Sequence, residues 1–218
     1  MGPRFRGGDA WGGSLVLEAA GLDCERSGRM LFRGLSFGAA PGNLVRIAGP
    51  NGSGKTSLLR ILCGLLAPTQ GEVRWRGTSI RRLAEEYSRD LVYIGHAAAL
   101  KDDLTPYENL DIACRLAGRH AQRPALGAAL NAFAVPALPV RKLSQGQRRR
   151  AALARLLLSE RVPLWLLDEP FAALDAAAAK YTEDVIAQHL KAGGSVVYTT
   201  HQQAALDARA RVIDLAVQ

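Results

Sequence analysis

Residues 49–56 read Gly49-Pro50-Asn51-Gly52-Ser53-Gly54-Lys55-Thr56. The spacing is that of the G-x-x-x-x-G-K-[ST] phosphate loop. Before it, "NLVRIAG" (43–49) reads as a buried strand. After it, "SLLRILCGLL" (57–66) has helical spacing, and "APTQGE" (67–72) ends it with turn chemistry. The glycines let the backbone curl so that successive N–H groups face phosphate oxygens, and the following helix adds its positive end. Lys55 is expected to reach the β- and γ-phosphates, and the Thr56 hydroxyl to ligate Mg²⁺. The whole run, with Ser57 behind it, is expected to hold the phosphates of a nucleoside triphosphate.

Further along, "VPLWLLDEP" (162–170) is a continuous apolar run ending in acid, as a central parallel strand should look. Asp168 at its carboxyl end would lie beside the phosphate loop in a doubly wound sheet and hold Mg²⁺. Glu169, one residue on, is placed to polarise the attacking water. His201 follows "SVVYTT" at another strand end and is expected to sense the γ-phosphate.

A second glycine-bearing loop opens the stretch "KLSQGQRRRAALARLLL" (142–158). It runs straight into a basic helix, an arrangement that suits an anion. Ser144 can cap that helix and offer its hydroxyl, while Gly146 permits close backbone approach.

Around these motifs, "SLVLEAAGLDC" (14–24) and "LSFGAAPGNLVRIAG" (35–49) predict a short antiparallel sheet, and "GEVRWRG" (71–77) alternates like a strand. "RDLVYIG" (89–95), "GGSVVYTTH" (193–201) and "RVIDLAV" (211–217) read as strands. "AAAAKYTEDVIAQHL" and "QQAALDARA" read as helices, and residues 97–160 as mostly helical. Strands alternating with helices imply an α/β domain with a mainly parallel sheet and a helical insertion.

Composition sets the outer bounds. The 218 residues suffice for one α/β domain over 15–218. Residues 1–14, glycine-rich with no apolar core, read as a flexible extension rather than a signal peptide. No apolar run approaches the roughly 20 residues that span a bilayer. Cys24, Cys63 and Cys114 have no paired spacing, which argues against a disulfide framework or a zinc site. The net charge of +8 suits a polyphosphate, a nucleic acid or an anionic membrane surface.

The ordered set "GPNGSGKT", "LSQGQ", "LLDEP", "ALD" (173–175) and "TTH" resembles the ATP-binding subunits of ABC transporters, over essentially residues 15–218. The resemblance implies a P-loop NTPase of ABC type, hydrolysing ATP with Mg²⁺ as a head-to-tail dimer. It implies that Ser144, Gln145, Gly146 and Gln147 cap the γ-phosphate held by the other subunit, with Asp175 in the D-loop acting across the same interface. The second loop would then serve someone else's nucleotide.

The sequence departs from the family pattern at two further positions besides Gln145, which stands where the family most often has glycine. His96 aligns with the glutamine that normally touches Mg²⁺ and relays the nucleotide state. Arg26 aligns with the aromatic that stacks on adenine; a guanidinium plane can also stack on a base. Together with "EVRWRG", "YIGH", "LKDDLTPYENL" and "LLDEPFAALD", these narrow the resemblance to the haem-exporter ATP-binding proteins of cytochrome c biogenesis. That group works with integral membrane subunits at the cytoplasmic face of the inner membrane, where ATP turnover is linked to haem export or delivery to a periplasmic haem chaperone. Nucleic acid is not an expected partner. The rivals are an exporter subunit for another substrate, and a soluble ABC ATPase acting on nucleic acid or in iron–sulfur assembly. Finally, "HAAALKDDLTPYENL" (96–110) begins at the relay position and mixes small apolar residues with charge. It is expected to form a groove for a short helix of a membrane subunit.

Overall fold

The computed structural model describes residues 16–201 and 205–215. The extension expected over 1–14 lies outside the described residues, as do 202–204 of the helix expected after His201.

The chain opens with two long antiparallel strands, β1 (Leu17–Arg26) and β2 (Arg29–Ala39), and then enters β3 (Leu44–Ala48). The phosphate loop leads into α1 (Lys55–Leu62), followed by β4 (Gln70–Trp75) and the short β5 (Thr78–Ser79). Then come α2 (Ala84–Arg89) and β6 (Leu91–Ile94). A helical stretch holds α3 (Pro106–Leu116), α4 (Arg123–Ala132) and α5 (Gln145–Leu153), with 3-10 turns at Val140–Lys142 and Ala154–Leu158. The chain finishes with β7 (Leu164–Asp168), α6 (Ala176–Lys191), β8 (Ser195–Thr199), a 3-10 turn at Ala205–Arg209 and β9 (Arg211–Asp214).

Two sheets result. β2-β1-β4-β5 is antiparallel, and β6-β7-β8-β3-β9 is parallel throughout. This is the α/β architecture the strand and helix alternation implied. β7 shows why the parallel sheet forms: all five of its residues are buried. A strand covered on both faces must be apolar on both faces. Leu164 and Leu166 join Val197 in the core shared with β1–β4 and α1. Trp165 and Leu167 join Val196 and Tyr198 in the core shared with α3–α6.

Helix starts follow local chemistry. Thr105 and Glu108 form a reciprocal capping box at α3, with Pro106 in the first turn. Asp175 caps α6 by accepting from the Ala178 N–H at 2.8 Å. The helix α2 was not among the sequence expectations. Its signal was present: Glu85 and Glu86 fill the first turn and Arg89 the last, matching the helix dipole.

Candidate nucleotide site

The phosphate loop links the carboxyl end of β3 to α1. Gly49 has φ +140°, and a Cβ there would lie 2.7 Å from Ser53 Oγ, so the turn tolerates no side chain. α1 begins at Gly54 with no side-chain cap. Its first-turn N–H groups are therefore left to whatever enters the loop. Lys55, 7 % exposed, donates from Nζ to the carbonyls of Gly49 (2.8 Å) and Pro50 (3.0 Å). Burial pulls its ammonium below the usual lysine range, while Glu169 and Asp168 act to hold it up.

Two threonine hydroxyls, one from α1 and one from the end of β8, converge on Asp168. Its Oδ2 accepts from Thr56 Oγ1 at 2.9 Å, across 112 residues of chain. Its Oδ1 accepts from Thr199 Oγ1 at 2.7 Å. Thr199 was missed in the sequence, although it stands two residues before His201. Its hydroxyl donates to Asp168 and accepts from the Glu169 N–H at 2.9 Å, so one side chain fixes both acids. Glu169 adopts φ +53°, a left-handed conformation uncommon for a residue with a side chain. The turn aims its carboxylate at His201. The His201 N–H donates to Glu169 Oε2 at 3.2 Å, and His201 Nε2 lies 3.3 Å from Glu169 Oε1.

These groups open into one cleft of about 650 Å³, whose lining includes Arg26, Asn51, Gly52, Lys55, Thr56 and Ser57. His96, Asp168, Glu169 and His201 line it as well. Thus Arg26 and His96, the two unusual positions, both face the same space as the phosphate loop. Thr56 Oγ1 and the Asp168 carboxylate are hard oxygen donors at hydrogen-bond distance, a donor pair that fits Mg²⁺ completed by phosphate and water.

The second loop lies elsewhere. None of Ser144, Gln145, Gly146, Gln147 and Asp175 lines this cleft. Ser144 Oγ accepts from the Gln147 N–H at 3.2 Å, and Gln147 Oε1 accepts from the Ser144 N–H at 2.9 Å. This capping box follows from the S-x-x-Q spacing. Gly146 does allow a close backbone approach, but within the chain: a Cβ there would lie 2.5 Å from the Ala173 carbonyl oxygen. The loop is thereby pressed onto the turn that follows Glu169.

A smaller apolar groove runs beside Tyr93–Gly95 and Ala97–Leu100, closed by Leu110, Ala113, Ala152 and Arg155. Arg155 Nε is buried there without a hydrogen-bond partner.

Residues 32–172 match the family model described as ABC transporter. The chain belongs to the ABC transporter family. Among curated relatives of this ABC protein, the cytochrome c biogenesis ATP-binding export protein CcmA of Aromatoleum aromaticum is 53% identical over 203 residues, covering 92% of this chain and 95% of the relative. The CcmA of Nitrosomonas europaea is 49% identical, covering 86% and 89%. Solved ABC structures share the fold. A dimeric post-hydrolysis ATP-binding cassette bound to ADP and Pi superposes with TM-score 0.79 at 23% identity, over 92% of this chain and 94% of that one. An ATP-binding protein of Pyrococcus furiosus gives 0.77 at 24%, over 91% and 96%.

Proposed function

We propose that this chain is the ATP-hydrolysing subunit of a membrane export complex serving cytochrome c biogenesis, coupling ATP-driven dimerisation to haem export or delivery to a periplasmic haem chaperone. The convergence of Lys55, Thr56, Asp168, Glu169 and His201 on one cleft supports the ATPase reading. The kinship with CcmA proteins supports the export reading.

In this reading the loop from Gly49 to Thr56 wraps the triphosphate, and Lys55 turns from the loop carbonyls to the β- and γ-phosphates. Arg26 stacks on the base. Thr56 and Asp168, with His96 lining the same cleft, would hold Mg²⁺, which would supply positive charge against the phosphate oxygens. Glu169 takes a proton from water as the water oxygen bonds to the γ-phosphorus. The bond to the β-bridging oxygen breaks, leaving ADP and phosphate. His201 holds the γ-phosphate and, through its contact with Glu169, the position of the base. Ser144 to Gln147 of one copy close the cleft of the other, with Asp175 at the same interface. Hydrolysis removes the ligand that joins the copies, so they part.

The groove at Ala97–Leu100 takes a short helix of an integral membrane subunit, placing the protein on the cytoplasmic face of the inner membrane. Among the described residues no helix is long and apolar enough to cross a membrane. The test is twofold. The chain should release phosphate from Mg-ATP and lose that activity in Lys55→Ala. It should also co-purify with multi-span membrane subunits whose loss blocks cytochrome c maturation. A cell lacking this chain that matures cytochrome c normally would overturn the assignment.

A further inference from the structure

Arg149 lies in the middle of α5 and is 5 % exposed, yet among the described residues it faces no carboxylate side chain within hydrogen-bond distance. Its guanidinium spends its N–H groups on three backbone carbonyls from two other segments. Nη2 donates to Asp168 O at 2.5 Å, Nη1 to Gly95 O at 2.8 Å, and Nε reaches Pro170 O at 3.4 Å. Burial lowers its pKa, with Asp168 and Glu169 opposing that shift. An arginine nevertheless stays charged in a protein. A buried cation is costly unless hydrogen bonds compensate it, and here three backbone carbonyls do so.

What it holds is specific. Asp168 and Pro170 flank Glu169, the residue in the left-handed conformation. Gly95 directly precedes His96. One planar fork therefore ties the turn carrying Glu169 and the loop carrying His96 to one helix. The same helix begins at Ser144, and its Gly146 packs on the Ala173 carbonyl of the turn. The helix thus grips residues 168–173 at two points.

We propose that Arg149 is a positioning residue for hydrolysis, fixing Glu169 and His96 to the helix whose first turn meets the partner's nucleotide. ATP seated against Ser144 in one site then adjusts the base of the other. The inference rests on the proposed roles of Glu169 as base and Ser144 as the trans-acting loop. Lysine keeps the charge but not the fork, so it cannot serve three carbonyls in one plane.

The experiment uses the full chain with Arg149→Lys and Arg149→Gln. Both should lower kcat about tenfold or more, with ATP affinity of the monomer kept within about twofold. Mixed dimers add a readout that loss of folding would not give. In the first, Arg149→Gln is paired with excess Lys55→Ala, so the working cleft contains the altered clamp. In the second, wild type is paired with excess chain carrying both substitutions, so the working cleft keeps its own Arg149. The first should be several-fold slower than the second. Equal rates in the two dimers, wild-type kcat in Arg149→Lys, or lost ATP affinity would overturn the clamp. A Glu169→Gln control separates the two failures. If it stalls while the Arg149 variants do not, only the clamp fails; if it turns over normally, the underlying reading of Glu169 fails.

Discussion

Glu169 and His201 meet through one hydrogen bond and one close approach: the His201 N–H donates to Oε2 at 3.2 Å, while Nε2 sits 3.3 Å from Oε1, which has no hydrogen-bond partner. The hydrogen bond fixes one oxygen of the proposed base and leaves Oε1 for a water. Glu169→Gln should keep ATP binding and cut hydrolysis by about 100-fold or more, the usual scale for a lost general base. ATP should then trap a dimer, visible in light scattering with Mg-ATP. A variant turning over near the wild-type rate removes Glu169 from this role.

Ser144 caps its helix through Gln147, so its replacement has two separable effects. Losing the cap should cost about 1 kcal/mol of stability. Ser144→Arg should also block hydrolysis while leaving monomer ATP binding nearly intact, because in the proposed dimer a bulky cation would enter the partner's γ-phosphate site. Mixed with Lys55→Ala, it should regain one competent site per heterodimer. Loss of ATP binding by the isolated Ser144→Arg monomer would show that the loop acts in cis.

Ala98 is half-buried in the groove that Arg155 closes. Ala98→Glu fills that groove with bulk, and its charge occupies Arg155. The variant should fail to co-purify with membrane subunits and fail in cytochrome maturation. The phosphate-release rate of the free chain should stay within about twofold of wild type. Normal co-purification would place the docking surface elsewhere.

His189 stacks on Trp165 with ring centroids 3.7 Å apart and planes 2° from parallel. Burial depresses its pKa to about 4, the Glu160 backbone opposing this, and neither ring nitrogen attains hydrogen-bond geometry. The unfolded chain, with an ordinary histidine, binds the proton more readily than the folded one. Stability from the neutral ring is therefore full above about pH 6.5 and falls as pH drops toward 4, by up to roughly 3 kcal/mol. Urea midpoints of wild type and His189→Phe, compared from pH 7.5 to 4.5, should diverge. Parallel curves would acquit His189.

The sequence carried the chemistry better than the architecture's details. "GPNGSGKT" and "LLDEP" announce themselves because phosphate wrapping and a buried acid-ended strand permit few residue types. Thr199 stayed hidden because a threonine in "VVYTTH" is equally at home as a β-branched strand residue. Only the pairing of β7 with β8, which sets Asp168 opposite Thr199, gives its hydroxyl a purpose. α2 was overlooked because six residues give too few turns for a periodic signal. Gly146 was read for its freedom near phosphate, whereas the neighbour it accommodates is Ala173 of its own chain. Such a contact joins residues distant in sequence and leaves no local trace.

Adjacent residues of β7 serve opposite cores: Leu164 and Leu166 one, Trp165 and Leu167 the other. A strand cannot leave one core and stay in the other. The helical insertion therefore has no melting transition of its own to follow. Heat or denaturant should take the catalytic half and the helical half apart in a single cooperative step, with tryptophan fluorescence and far-UV dichroism reporting the same midpoint.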